Sequence, residues 1–222
     1  MNHDRHAPRT VLFDWDNTLV DSWGAIHRAI NATLAELGRP TWTFDQTRAR
    51  VRRSAREAFP AWFGDDADRA AAIFYARFER DHLEGLQPLR GALAMLNALA
   101  RDGYDLAVIS NKRGDLLRRE VAHLGWNDHF RRTVGAGDAE RDKPDPAAVA
   151  LALADAPGGP GAAERVWLVG DTDIDLLCAV NAGCVPVLLR ETPPQAGEFP
   201  DAPPVHHVPG CVEFAEMLRR TC

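Results

Sequence analysis

Apolar residues along this chain follow two rhythms that take turns. Continuous short runs at residues 9–13, 106–109, 166–169 and 185–189 have the length and β-branched content of buried strands, and Thr133-Val134 marks a further short one. Between them the apolar positions recur every three or four residues, as on one face of a helix. Ile26, Ile30, Leu34 and Leu37 make such a stripe, with Asp21 or Ser22 placed to cap it and Gly38-Arg39-Pro40 to stop it. Leu93, Leu96 and Leu99 make another before Gly103, and helices are predicted over 116–124, 146–154, 175–182 and 212–220.

Strands separated by helices imply a parallel sheet covered by helices on both faces, an α/β fold. One stretch breaks the rhythm. From about 22 to 85 the pattern stays helical, with Ile73, Phe74 and Phe78 as an apolar stripe, so a helical subdomain at 22–85 is expected to interrupt a core made of 1–21 and 86–222. The Pro-rich segment 191–209 has no periodicity and reads as a surface excursion with an edge strand at 205–208.

Composition narrows the classes. A chain of 222 residues with 45% hydrophobic and 26% charged residues is an ordinary globular protein, and its net charge of −6 argues against nucleic acid as partner. No apolar run reaches membrane-spanning length, and residues 1–9 read as a short tail without a signal-peptide core, so a cytoplasmic location is expected. Cys178, Cys184, Cys211 and Cys222 lack C-x-x-C spacing and read as incidental thiols of a reducing compartment. His206 and His207 would point to opposite faces of a strand and share no metal.

Four clusters carry candidate chemistry, in this order: Asp14-Trp15-Asp16-Asn17-Thr18, Ser110-Asn111, Lys143-Pro144 and Gly170-Asp171-Thr172-Asp173-Ile174-Asp175. Three of them follow predicted strands, and open parallel sheets bind ligands beyond the carboxyl ends of their strands. Carboxylates gathered there repel one another unless a cation joins them, so Asp14, Asp16, Asp171 and Asp175 imply a hard divalent ion, and magnesium is the ion expected. Asp173 and Asp175 also stand where a helix start favours acids, so a purely capping role is equally open for them. The two lysines, Lys112 and Lys143, stand against 24 arginines, which suggests that a compact point charge is wanted at Lys143.

The set Asp14-x-Asp16-x-Thr18, Ser110, Lys143 and Gly170-Asp171-x-x-x-Asp175 resembles the four motifs of the haloacid dehalogenase superfamily, in its phosphoglycolate-phosphatase-like branch. The resemblance implies a Rossmann-like sheet of order 5-4-1-2-3 with an α-helical cap inserted after the first strand. It also implies a Mg2+-dependent phosphatase acting on a small phosphorylated metabolite through an aspartyl-phosphate intermediate. Asp14 would be the nucleophile, and Asp16 the general acid and base as well as a metal ligand through its carbonyl. Ser110 and Lys143 would hold the phosphoryl group, with Thr18 and Asn111 beside the substrate. Asp14 and Asp171 would bind the metal through side chains, and Asp175 would orient its waters. Where the family often has glycine this chain has Asn17, the next most tolerant residue for a left-handed backbone.

The expected cap carries Arg48, Arg50, Arg52, Arg53 and Arg56, from which Arg52 and Arg56 are the candidates to reach a second anionic group of the substrate. On one continuous helix Arg48, Arg52 and Arg56 would share a face; a solvated basic face is the competing reading. Phosphonate hydrolysis would need a Schiff-base lysine, for which Lys112 is the sole remaining candidate, and dehalogenation would not need the metal cluster. A phosphomutase, a phosphoprotein phosphatase and an idle binding module on the same fold remain as alternatives.

Overall fold

The computed structural model of the chain describes residues 8–156 and 166–221. The expectations for the N-terminal tail before residue 8 and for Cys222 lie outside those residues. Six parallel strands form the central sheet: β1 (Thr10–Phe13), β4 (Asp105–Arg113), β5 (Arg132–Ala136), β6 (Val166–Gly170), β7 (Val185–Leu189) and β8 (His206–Val208). Their order across the sheet is β5-β4-β1-β6-β7-β8. The expected five-strand order is present within it, but the sheet differs in carrying a sixth strand, β8, which pairs with β7 at the edge.

β1 lies in the middle, hydrogen-bonded to β4 on one side and β6 on the other, and all four of its residues are buried. Successive side chains of a strand point to opposite faces. Val11 and Phe13 therefore meet α5 (Ala92–Arg101), α6 (Gly114–His123) and α9 (Cys211–Thr221), whereas Leu12 meets α7 (Ala147–Leu153) and α8 (Asp173–Asn181). Burying each such side chain contributes roughly 1.5–3 kcal/mol, and their continuous apolar run suits a strand covered on both faces.

Two elements run differently from expectation. β4 does not end at Ile109 but continues as Ser110-Asn111-Lys112-Arg113, its register with β5 shifting between Ile109 and Arg113. The segment 191–209 is more than a surface excursion, because Phe199 and Ala202 pack on Leu176 and Leu188. Leu93, counted above in an apolar stripe, is 43% exposed.

A two-residue strand, β2 (Val20–Asp21), pairs antiparallel with β3 (Gln87–Pro88), and between them lie four helices. They are α1 (Trp23–Glu36), α2 (Phe44–Arg50), α3 (Ala55–Phe63) and α4 (Ala67–Asp81). Ser22 occupies the N-cap position of α1 without a side-chain bond there, while Asp21 Oδ1 accepts from the Trp23 N–H at 3.2 Å. α2 opens with a capping box, Thr43 with Gln46. α1, α3 and α4 bury a core of their own around Ile30, Leu34, Phe59 and Phe63. Ile26, Ala29 and Phe78 join this layer to Leu116 of α6.

α2 stops at Arg50 and α3 starts at Ala55, so the arginines do not share one helix face as expected. Among the described residues no helix is long and apolar enough to cross a membrane.

Candidate functional site

The carboxyl ends of β1, β4 and β6 and the loop before α7 converge on one corner. Asp14 leaves β1 directly, its N–H still bonded to the Val169 carbonyl at 2.8 Å. After it the chain turns back on itself, the Trp15 carbonyl accepting from the N–H groups of Leu19 and Val20 at 3.0 and 3.2 Å. Asn17 sits in that turn at φ 64°, the left-handed conformation for which Asn is the best substitute for Gly. The same turn directs Asp14 and Asp16 toward a cavity of about 130 Å³ between the sheet edge and the α1–α4 layer, with Ser110, Asn111, Lys112, Lys143, Asp171 and Asp175 in its lining.

Lys143 Nζ stands between two carboxylates, 2.6 Å from Asp14 Oδ1 and 2.6 Å from Asp175 Oδ1. Asp175 Oδ2 accepts from both the N–H and the O–H of Thr172, so its carboxylate is held from two sides. Gly170 permits this arrangement, because a Cβ there would meet Asp175 Cβ and Cγ at 2.3 Å. Thr18, fully buried, donates to Asp14 Oδ2 at 3.3 Å from beneath and is absent from the cavity lining. Asn111 Nδ2 donates to the Lys143 carbonyl and so fastens the lysine loop to β4. Ser110 Oγ accepts from the Lys112 N–H at 3.1 Å, which leaves its own proton for a ligand.

Asp14, Asp171 and Asp175 each offer a carboxylate oxygen within 4.8 Å of the others. Burial pushes the Asp14 carboxyl up to about 7, with Asp175 and Asp16 adding to the push and Lys143 opposing it. Burial, then Asp175 and Asp14, hold the Asp171 carboxyl well above the usual carboxylate range. On Lys143 burial disfavours the charge, but Asp14 and Asp175 outweigh it and raise its pKa above the ordinary lysine value. Three carboxyl groups thus share one lysine, and Asp14 and Asp171 need a further cation to be held ionised. All-oxygen donors fit a hard divalent cation. The Asp16 carboxylate is not one of the three.

Asp16 belongs instead to a second buried array that the sequence reading did not foresee. Lys112 Nζ donates to Asp16 Oδ1 at 2.7 Å and to Glu120 Oε2 at 2.5 Å. Glu120 also accepts from Trp15 Nε1 at 2.6 Å and lies 2.7 Å from His82 Nδ1. Glu120 is fully buried and His82 nearly so. Burial works against the Glu120 charge, yet Lys112, His82 and Trp15 together hold its pKa below the usual range. Burial likewise opposes the Lys112 charge, and Asp16 and Glu120 overcome it, so its pKa is raised. A Schiff-base lysine needs the opposite shift, which removes the support for phosphonate chemistry at Lys112. Trp15 packs edge-on against Trp126 and Phe130 and donates to this array as well.

The five arginines disperse. Arg52 and Arg53 line the cavity, Arg52 bonded to Asp173 at 2.9 Å and Arg53 to Glu57 at 3.5 Å. Arg56 is outside the cavity lining and binds buried Asp142 with two bonds of 2.5 and 2.6 Å. Arg48 and Arg50 lie over the rings of Trp23 and Trp42.

The chain is 36% identical over 194 residues to a phosphoglycolate phosphatase of Rhodospirillum rubrum, covering 82% of this chain and 79% of that protein. It is 33% identical over 196 residues to a phosphoglycolate phosphatase of Caulobacter vibrioides, covering 84% and 81%. A solved haloacid dehalogenase-like hydrolase from Streptococcus pneumoniae shares the fold, with a TM-score of 0.81 at 21% identity over 95% of this chain and 98% of that one. The family model for haloacid dehalogenase-like hydrolases matches residues 11–188, and with the relatives it establishes that the chain belongs to that family.

Proposed function

We propose that this haloacid dehalogenase-type phosphatase hydrolyses a small phosphomonoester through an aspartyl-phosphate intermediate on Asp14. The observation that carries the reading is the placement of Asp14: buried at the end of β1, bonded to Lys143, and within one cluster of carboxylates that faces the cavity. Asp14, Asp171 and Asp175 would hold magnesium, which when bound neutralises charge between the nucleophile and the phosphoryl oxygens.

Asp14 attacks phosphorus, and Lys143 keeps the attacking group and the phosphoryl oxygens from repelling each other. Ser110 donates its hydroxyl proton to a phosphoryl oxygen, Thr18 steadies Asp14, and Asn111 holds the Lys143 loop. Lys112 engages Oδ1 of Asp16, so proton transfer falls to Oδ2: it protonates the departing oxygen, then accepts the proton of the water that cleaves the intermediate. The α1–α4 layer acts as a cap, excluding water during the first step. Three described cysteines are free and buried, in keeping with a reducing, cytoplasmic setting.

Phosphate release from para-nitrophenyl phosphate should require magnesium and vanish in Asp14→Asn, while Asp16→Asn should accumulate a hydroxylamine-sensitive acyl phosphate. Well-folded, magnesium-loaded protein that releases no phosphate from any ester removes the assignment, and transfer to a sugar hydroxyl in place of water moves it to a mutase.

A further inference from the structure

Two cavities meet the site, and they differ in chemistry. The groove of about 970 Å³ on the Asp171 side is lined by Arg48, Arg52, Arg90 and Arg190, but Asp14, Asp16, Ser110 and Lys143 do not border it. The chamber of about 130 Å³ is bordered by all four. Asp16 must reach the oxygen that leaves with the alcohol, so the alcohol occupies the chamber. Away from its reacting end, that chamber is walled by Phe59, Trp62, Phe74, Tyr75 and Phe78 from α3 and α4 and by Ile30 from α1.

Every cation bordering the chamber already has a carboxylate. Lys143 holds Asp14 and Asp175, Lys112 holds Asp16 and Glu120, and Arg113 holds Asp115 and Glu79. Arg52 pairs with Asp173 and Arg53 with Glu57. At the buried lysines a second anionic group on the substrate would have to displace a carboxylate, and in the aromatic wall it would stand unpaired, which is costly; only the half-exposed Arg52 and Arg53 could receive it, outside that wall. Apolar carbon gains from the same wall.

We propose that the substrate is a phosphomonoester of a compact, uncharged, apolar alcohol or phenol, a class distinct from phosphoglycolate with its carboxylate. The inference rests on the phosphomonoesterase reading above. Part of the chamber's 130 Å³ takes the phosphoryl group beside Asp14, Ser110 and Lys143, so what the aromatic end accepts is compact, a branched short alkyl group or at most a single ring. In the reaction the bond from phosphorus to the alcohol oxygen breaks as the bond to Asp14 forms, and Asp16 supplies the proton of the released alcohol. Water then attacks phosphorus, Asp16 takes its proton, and inorganic phosphate leaves with Asp14 restored.

Isobutyl phosphate and phosphoglycolate are both primary alkyl esters, so comparing them isolates the tail from the leaving-group chemistry. With the wild-type enzyme in magnesium, kcat/KM for isobutyl phosphate should exceed that for phosphoglycolate by at least about tenfold, since single methylene differences in apolar pockets are worth about 10- to 200-fold. Trp62→Gln and Phe74→Gln should each erode that ratio by raising KM for isobutyl phosphate more than for phosphoglycolate. Equal values, or a preference for phosphoglycolate, overturn the apolar-tail proposal and leave the phosphatase reading standing. No turnover of either ester or of para-nitrophenyl phosphate overturns both.

Discussion

Glu120→Gln tests the second buried array most directly. The carboxylate is 1% exposed and receives Lys112, Trp15 and His82, with contacts between 2.5 and 2.7 Å. The amide is nearly isosteric, so packing is kept, but the charge facing Lys112 is lost and an NH2 group is turned toward donors. Breaking a buried pair from one side costs about 3–5 kcal/mol, and each stranded donor about 1–3 kcal/mol, contributions that overlap and do not add. A loss of about 3 kcal/mol lowers the melting temperature by roughly 6–12 °C for a domain of this size. Urea denaturation at pH 7, followed by tryptophan fluorescence, measures it.

The effect also has a pH signature. Glu120 is held below its ordinary value, so its contribution is present above that value and is lost as pH falls through the depressed one. Lys112 is held above its ordinary value, so its contribution is present below that value and lost only as pH rises through the raised one. The gap between wild type and variant should be widest at neutral pH and close on acidification. Replacing both partners, Lys112→Met with Glu120→Leu, should recover stability relative to Glu120→Leu alone while turnover stays low, because Asp16 has lost its partner. A melting point for Glu120→Gln within about 2 °C of wild type would refute the reasoning.

Three other outcomes are expected. Gly170→Ala forces the Asp175 side chain aside, so kcat should fall at least about tenfold; near-normal kcat contradicts the close approach. Asn17→Gly should be tolerated and Asn17→Val should cost about 1–2 kcal/mol, since a β-branched residue at φ 64° is strained; thermal melts compare the pair. Burial pushes Cys178, Cys184 and Cys211 up to about 12, so a Cys222→Ser variant should react with a disulfide reagent at pH 8 only after unfolding.

The strands and motif residues were legible because apolar runs and the polar residues that end them report directly on a parallel sheet. The Glu120 array was hidden by the habit of assigning charged residues to solvent. Its signal lay in spacing: Glu120 follows Leu116 and Leu117 by four and three residues, and His82 follows Phe78 by four, which puts both on apolar helix faces. The arginine face failed for a related reason. A period of 3.6 holds only within one helix, and residues 51–54 separate two. The extension of β4 was unreadable because Ser110 to Arg113 carry no apolar alternation and cross a register shift, pairing with β5 resuming only at Arg113.

Both lysines of the chain end up inside it, with side chains 4% and 2% exposed. A lysyl endoprotease therefore reaches either lysine only when the fold opens, Lys112 from within β4 and Lys143 from the loop before α7. The folded protein is therefore its own stopwatch. Cleavage at them tracks the open population when reclosing is fast and the opening rate when cleavage outpaces reclosing, and acylation of these two amines should proceed no faster than that opening.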